Sequence, residues 1–314
     1  MEKGRITARG IVIHCYQRTV NGELLFYSIS DYLVFFTIFC IEAKKYGVRV
    51  LALCLMPDHF HVSIVVDSSK ILSDFIASVT RKYAIQNNVT CHRSGPLFAK
   101  PFGSAPKYGA KKARTNLIYV GNNGVERQLC HKAEDYRWGF LKYAVSTSPF
   151  SEPLVIRNAS VDMKSAVRSV KSYLTKSKEL NYTLLQRLFR PLSRQEKEQL
   201  TDFIISSYDI IDHAGAARFF DGYDNMLEAM HTNTGSEYDL NEVLVGKSDA
   251  HYAAMSSILL KELPIFDIHD IFLMTEDERF KLFTILQRKT NATPEQILKF
   301  LRIPYSFENS PSKA

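Results

Sequence analysis

The run Leu55-Met56-Pro57-Asp58-His59-Phe60-His61-Val62-Ser63-Ile64 holds the residues best suited to chemistry. Side chains of a strand alternate between its faces, so His59, His61 and Ser63 share one face. Phe60, Val62 and Ile64 share the other and can pack beneath helices. Two imidazoles one residue apart stand about 7 Å from each other along a strand and can converge on one metal ion. In an arbitrary chain such a pair is more often two incidental surface histidines. The apolar run before this pair and its Met-Pro-Asp turn set it apart.

A second group falls on a helix expected over residues 110–123. Ala110, Ala113, Leu117 and Val120 recur at helical spacing and form its packing face. Lys112, Thr115, Asn116, Tyr119 and Asn123 occupy another face. Tyr119 and Asn123 are four apart and project together while the last turn stays helical. Gly121 and Gly124 make that end prone to fray. Among 16 tyrosines, one such ring would serve core packing equally well.

The elements that must position these groups alternate. Residues 10–17 read as a strand, 30–46 as an apolar helix ended by Gly47, and 48–56 as a central strand. Pro57 interrupts the run, and 60–66 forms the paired strand. Residues 71–87 fit an amphipathic helix, 97–102 a short strand and 106–121 a last helix. This β-α-β-β-α-β-α order predicts an α+β, ferredoxin-like (RRM-like) antiparallel sheet with helices on one face. Residues 1–150 would form that domain and 151–314 a mostly helical region. In the latter, Ser193/Glu196, Thr275/Glu278 and Thr293/Gln296 read as capping boxes. A break is expected near Gly222 and a turn at 233–235. The helices 276–289 and 294–302 suit a helix-turn-helix over 275–303 or an ordinary helical hairpin.

Composition bounds the rest. The 314 residues are 46% hydrophobic and 23% charged, as in a globular protein. Five cysteines without a CxxC pair argue against a disulfide framework and fit a reducing cytoplasm. No signal peptide is evident, and the longest apolar run, 33–41, is too short to span a bilayer, so no membrane association is expected. The net charge of +7 is uneven: residues 1–150 hold 20 Lys and Arg against 10 Asp and Glu, and 151–314 hold 20 against 23. Residues 75–125 lack any acidic side chain, which suits a polyanion. Arg81, Lys82, Lys107, Lys111, Lys112 and Arg114 are the candidate backbone contacts. Tyr83, Phe98, Phe102 and Tyr108 are candidate stacking rings, though core packing suits each as well. The acidic residues 196–278 are expected to pack or to meet protein.

The stretch LMPDHFHVSIVV resembles the His-hydrophobe-His (HUH) motif of single-tyrosine transposases, most of all the REP-associated tyrosine transposases. Tyr119-Val120-Gly121-Asn122-Asn123-Gly124 resembles the Tyr-Ile-His-x-Asn-Pro pattern of that family, departing from it at Gly121 and Gly124. Glu134-Asp135-Tyr136-Arg137-Trp138 is similar to its Pro-Glu-Asp-Tyr-x-Trp stretch, and Val12-Ile13-His14 to its first strand. The resemblance covers about residues 5–145.

It implies that His59, His61 and the Asn123 amide oxygen bind Mg2+ or Mn2+ and that Tyr119 is the nucleophile. A phenol with a pKa near 10 is only about one-thousandth ionised at neutral pH, so it needs such activation. The implied reaction cleaves hairpin-bearing single-stranded DNA through a 5′-phosphotyrosine and leaves a free 3′-OH. A homodimer is one implied assembly, and the nucleoid the implied location. A domesticated DNA-binding protein without catalysis, or an RNA-binding module, remain alternative readings.

Overall fold

The computed structural model describes residues 10–233, 248–265 and 267–304. Four strands, β1 (Val12–Arg18), β2 (Arg49–Met56), β3 (His59–Val65) and β4 (Gly103–Lys107), form one antiparallel sheet in the order β2-β3-β1-β4. Helices α1 (Ile29–Tyr46) and α2 (Ser69–Thr90) supply its two crossovers, and α3 (Gly109–Glu126) follows β4. This is the ferredoxin-like arrangement expected from the sequence.

Local chemistry explains the crossovers. Ser28 and Asp31 form a capping box at the start of α1, and Gly47, at φ 64°, ends it in the left-handed region. The apolar run of α1 is buried because sheet and helices cover it on both sides. No described helix is long and apolar enough to cross a membrane. Pro57 lies in the tight β2–β3 turn, where its carbonyl accepts from the Leu25 and Phe26 amides.

Helices α1 and α2 cover the face formed by Phe60, Val62 and Ile64. Helix α3 crosses the opposite face, packing Ala113 and Leu117 near Val12 and Leu51. The sheet is therefore covered on both faces rather than having its helices on one face alone. The physical reason lies in α3 itself, whose apolar stripe needs a partner and finds it over β2.

The fourth strand is displaced from its expected position at 97–102. Leu97 and Phe98 are buried in the core from an irregular segment, and Phe98 makes only an isolated bridge to Thr19. The ladder is formed instead by Gly-Ser-Ala-Pro-Lys. Edge position permits Pro106 there, and any Cβ on Gly103 would overlap the Tyr16 ring. Helix α3 also runs past both glycines without fraying. A Cβ at Gly121 would lie 2.6 Å from Met230 Cε, and one at Gly124 2.8 Å from Tyr136 Cγ, so both glycines permit close packing.

The C-terminal region is helical: α4 (Val161–Thr175), α5 (Tyr182–Phe189), α6 (Arg194–Tyr208), α7 (His213–Ala217), α8 (Tyr223–Thr232), α9 (Ala250–Glu262), α10 (Glu276–Lys289) and α11 (Pro294–Leu301). All three capping boxes are present. Gly222 caps α8, and most of the expected 233–235 turn lies outside the described residues. Helices α4–α6 share one core with α1, so the packing runs through residue 150 without a break. Helices α9–α11 enclose a second core that includes Leu24 and Tyr27.

Candidate functional site

Strand alternation places His59, His61 and Ser63 on the α3 side of β3. Cross-strand pairing sets His14 opposite Ser63 and Tyr16 opposite His61. Ser63 Oγ donates to Asn116 Oδ1 at 2.7 Å, which ties α3 to the histidine strand. One turn further along α3, the Tyr119 ring stands edge-on to both His61 and His14, with centroids 5.3 and 5.6 Å away. The His59 and His61 rings are nearly perpendicular, at 4.8 Å. The fold thus brings His59, His61 and Tyr119 together, and adds His14.

Each histidine of the pair is oriented through Nδ1. His59 Nδ1 bonds Asp58 Oδ1 at 2.5 Å, and His61 Nδ1 shares a hydrogen bond with His14 Nε2 at 3.0 Å. Such outer partners fix ring orientation and leave Nε2 facing a potential ligand site. His59 Nε2 is buried and has no hydrogen-bond partner among the described residues. Burial holds His61 well below its ordinary pKa, with His59 and His14 adding to the effect. Burial, reinforced by Lys107, lowers His14 to about 3. Both rings are therefore neutral at pH 7, the form that coordinates metal.

Asn123 Nδ2 donates to the Tyr119 carbonyl at 2.8 Å, which leaves Oδ1 as the amide's acceptor atom. Among the described residues no three of His, Cys, Asp and Glu converge as a metal-binding group. The imidazoles of His59 and His61 and an amide oxygen such as that of Asn123 are donor types that a divalent ion accepts.

The C-terminal region reaches this site. Lys299 of α11 bonds Asp58 Oδ2 at 2.5 Å. Burial alone would raise the Asp58 carboxyl, but His59 and Lys299 hold it far below the usual carboxylate range. Asp249, just before α9, lies close enough that burial and the Asp58 charge push it up to about 6. The site is closed: Tyr119 is only 4% exposed, and His14, His59, His61 and Asn123 are buried. His14, Asp58 and Lys299 were missed in the sequence. Asp58 adjoins the histidine motif and His14 alternates correctly on β1, but no local signal marks Lys299.

The basic residues divide between two sides. Lys111, Lys112 and Arg114 are exposed on α3, with Lys107 at the end of β4. Arg81 and Lys82 lie on α2, across the sheet. Lys82 is committed to Glu42 at 2.8 Å and Glu179 at 3.0 Å. Tyr83 and Phe98 are core residues, so they offer no stacking surface; Tyr108 is exposed.

Residues 12–123, about a third of the chain, match the family model described as Transposase IS200 like. The match ends at Asn123 and takes in His14, His59, His61 and Tyr119. Among solved structures, the chain is similar to a REP-associated tyrosine transposase bound to a REP hairpin. The identity is 13% and the TM-score 0.39, over 45% of this chain and 82% of that one. No curated protein matches the chain.

Proposed function

We propose that the chain cleaves and rejoins single-stranded, hairpin-bearing DNA, with Tyr119 as nucleophile and His59, His61 and Asn123 holding Mg2+ or Mn2+. The observation that carries this reading is the Tyr119 ring edge-on to His61 beside the unpartnered Nε2 of His59. Bound there, the divalent ion supplies Lewis-acid polarisation of the scissile phosphate. Tyr119 Oη attacks phosphorus and loses its proton. The bond to the 3′ oxygen breaks, that oxygen takes up a proton, and a 5′-phosphotyrosine remains. Reversal by a 3′-OH rejoins strands without an external energy source. Asp58 and His14 keep the two imidazoles oriented throughout.

The test is incubation with hairpin-bearing single-stranded DNA, with and without Mn2+, followed by a denaturing gel. A covalent adduct that needs metal and is lost in Tyr119→Phe is the expected result. A second reading, DNA binding without cleavage, is favoured by the burial of Tyr119 under surrounding elements. DNA binding with no adduct under any metal would establish it in place of the first.

A further inference from the structure

The helical region from Arg157 to Arg194 contains nine Lys and Arg against two acidic residues, Asp162 and Glu179. The near-neutral balance of residues 151–314 hides this, because residues 195–314 hold 11 basic against 20 acidic side chains. Helix α4 buries Met163, Ala166, Val167 and Val170. Its outward side carries Lys164, Arg168 and Lys171 at i, i+4 and i+7, hence in one stripe. Between α4 and α5 lies an open groove of about 300 Å³, lined by Ser165, Arg168, Ser169, Ser172, Tyr173 and Arg187. Arg168 and Arg187 are exposed, and neither forms an ion pair with a described residue. Glu179 is paired with Lys82 at 3.0 Å.

We propose that this groove binds the phosphate backbone of a DNA strand, as a second contact surface outside the transposase-like region. The proposal rests on the DNA reading above. Guanidinium forks suit phosphate oxygens, and helical serine hydroxyls can donate to the same groups. The half-buried Tyr173 ring offers a face to an unpaired base. Helix α4 is about 22 Å long, enough to run beside several phosphates of a strand, which in a duplex advance about 3.4 Å along the axis per nucleotide. Helices α5 and α6 rest on α1, across the sheet from Tyr119. A strand held here is therefore flanking DNA rather than the segment being cut. Arg81, next to Lys82 on α2, falls on this same side.

The test uses the full chain and fluorescence anisotropy with a labelled hairpin-bearing single strand over a salt series. Arg168→Ala/Arg187→Ala, at exposed positions, is expected to weaken binding roughly tenfold and to make the log–log salt slope shallower by about 1.4, for two lost phosphate contacts. Arg168→Lys/Arg187→Lys, which keeps both charges, is expected to retain the slope. A double alanine variant with wild-type affinity and slope, in a chain that still binds DNA and forms the tyrosine adduct, overturns this proposal alone. A wild-type chain that binds no DNA at any salt overturns the DNA reading together with it.

Discussion

Lys299 bonds one oxygen of Asp58 at 2.5 Å, across 241 residues of chain, while the other oxygen bonds His59 Nδ1 at 2.5 Å. The pairing links α11 to the orientation of a candidate metal-binding ring. Removing Lys299 leaves a half-buried carboxylate without its cation and loosens its hold on the imidazole. Lys299→Ala is expected to lower Mn2+ affinity by about tenfold or more, and Lys299→Arg to restore most of it. Titration calorimetry with Mn2+ reads this directly; equal affinities for wild type and Lys299→Ala would refute the link.

The histidines and the lysines and arginines are expected to separate experimentally. His59→Ala and His61→Ala each remove a candidate ligand beside Tyr119 but no exposed cation. Cleavage is expected to fall by at least about a hundredfold, the scale seen when one electrostatic stabiliser is lost. DNA affinity rests on phosphate neutralisation and is expected to hold. Parallel gel-shift and cleavage assays check the division. A collapse of affinity in either histidine variant contradicts it.

Alternation along β3 put His59 and His61 on one face, and helical spacing put Tyr119 and Asn123 on one side of α3; both are local patterns. The capping boxes at Ser193, Thr275 and Thr293 are equally local and were legible. The fourth strand was not, because Leu97 and Phe98 look like a strand yet are buried from a loop, while Gly103–Lys107 has weak strand propensity and pairs only because β1 has a free edge. His14 was hidden because the sequence does not give the β1–β3 register. Lys299 was hidden because its partner lies in a different structural layer. The departures at Gly121 and Gly124 acquired a reason only once Met230 and Tyr136 were seen against α3.

That reason is itself testable. Gly121→Ala would place its Cβ 2.6 Å from the Met230 side chain, which must then move. Overpacking of this kind typically costs about 1–3 kcal/mol. Chemical denaturation is expected to show a loss in that range for Gly121→Ala. Shortening the neighbour in Gly121→Ala/Met230→Ala is expected to cost less than the two single losses combined. Additive losses would show that Met230 is not what requires the glycine.

The last prediction concerns pH. His269 lies between two carboxylates: Nε2 is 3.0 Å from Asp31 Oδ1, at the start of α1, and Nδ1 is 2.5 Å from Asp267 Oδ1. Tyr182 Oη also donates to Asp31 Oδ1, at 2.6 Å, so the cluster joins α1, α5 and the short helical turn Ile268–Leu273. Burial alone would lower the pKa of His269, but Asp31 and Asp267 hold it well above the ordinary value. Burial alone would raise Asp267, but its bonds to His269 hold it low. A group whose pKa rises on folding stabilises the fold fully below its unfolded value, about 6.5 for histidine, and loses that contribution as pH rises through the folded value. A group whose pKa falls on folding contributes above its unfolded value, and its contribution fades as pH falls through the folded one. The charged cluster is therefore strongest between the acid range of Asp267 and pH 6.5. Thermal melts of wild type and His269→Gln are expected to differ most in that window. The gap should narrow steadily toward alkaline pH as wild-type His269 gives up its proton. A gap that stays constant from pH 6 into the alkaline range would mean that shape, not charge, makes His269 hold these elements together.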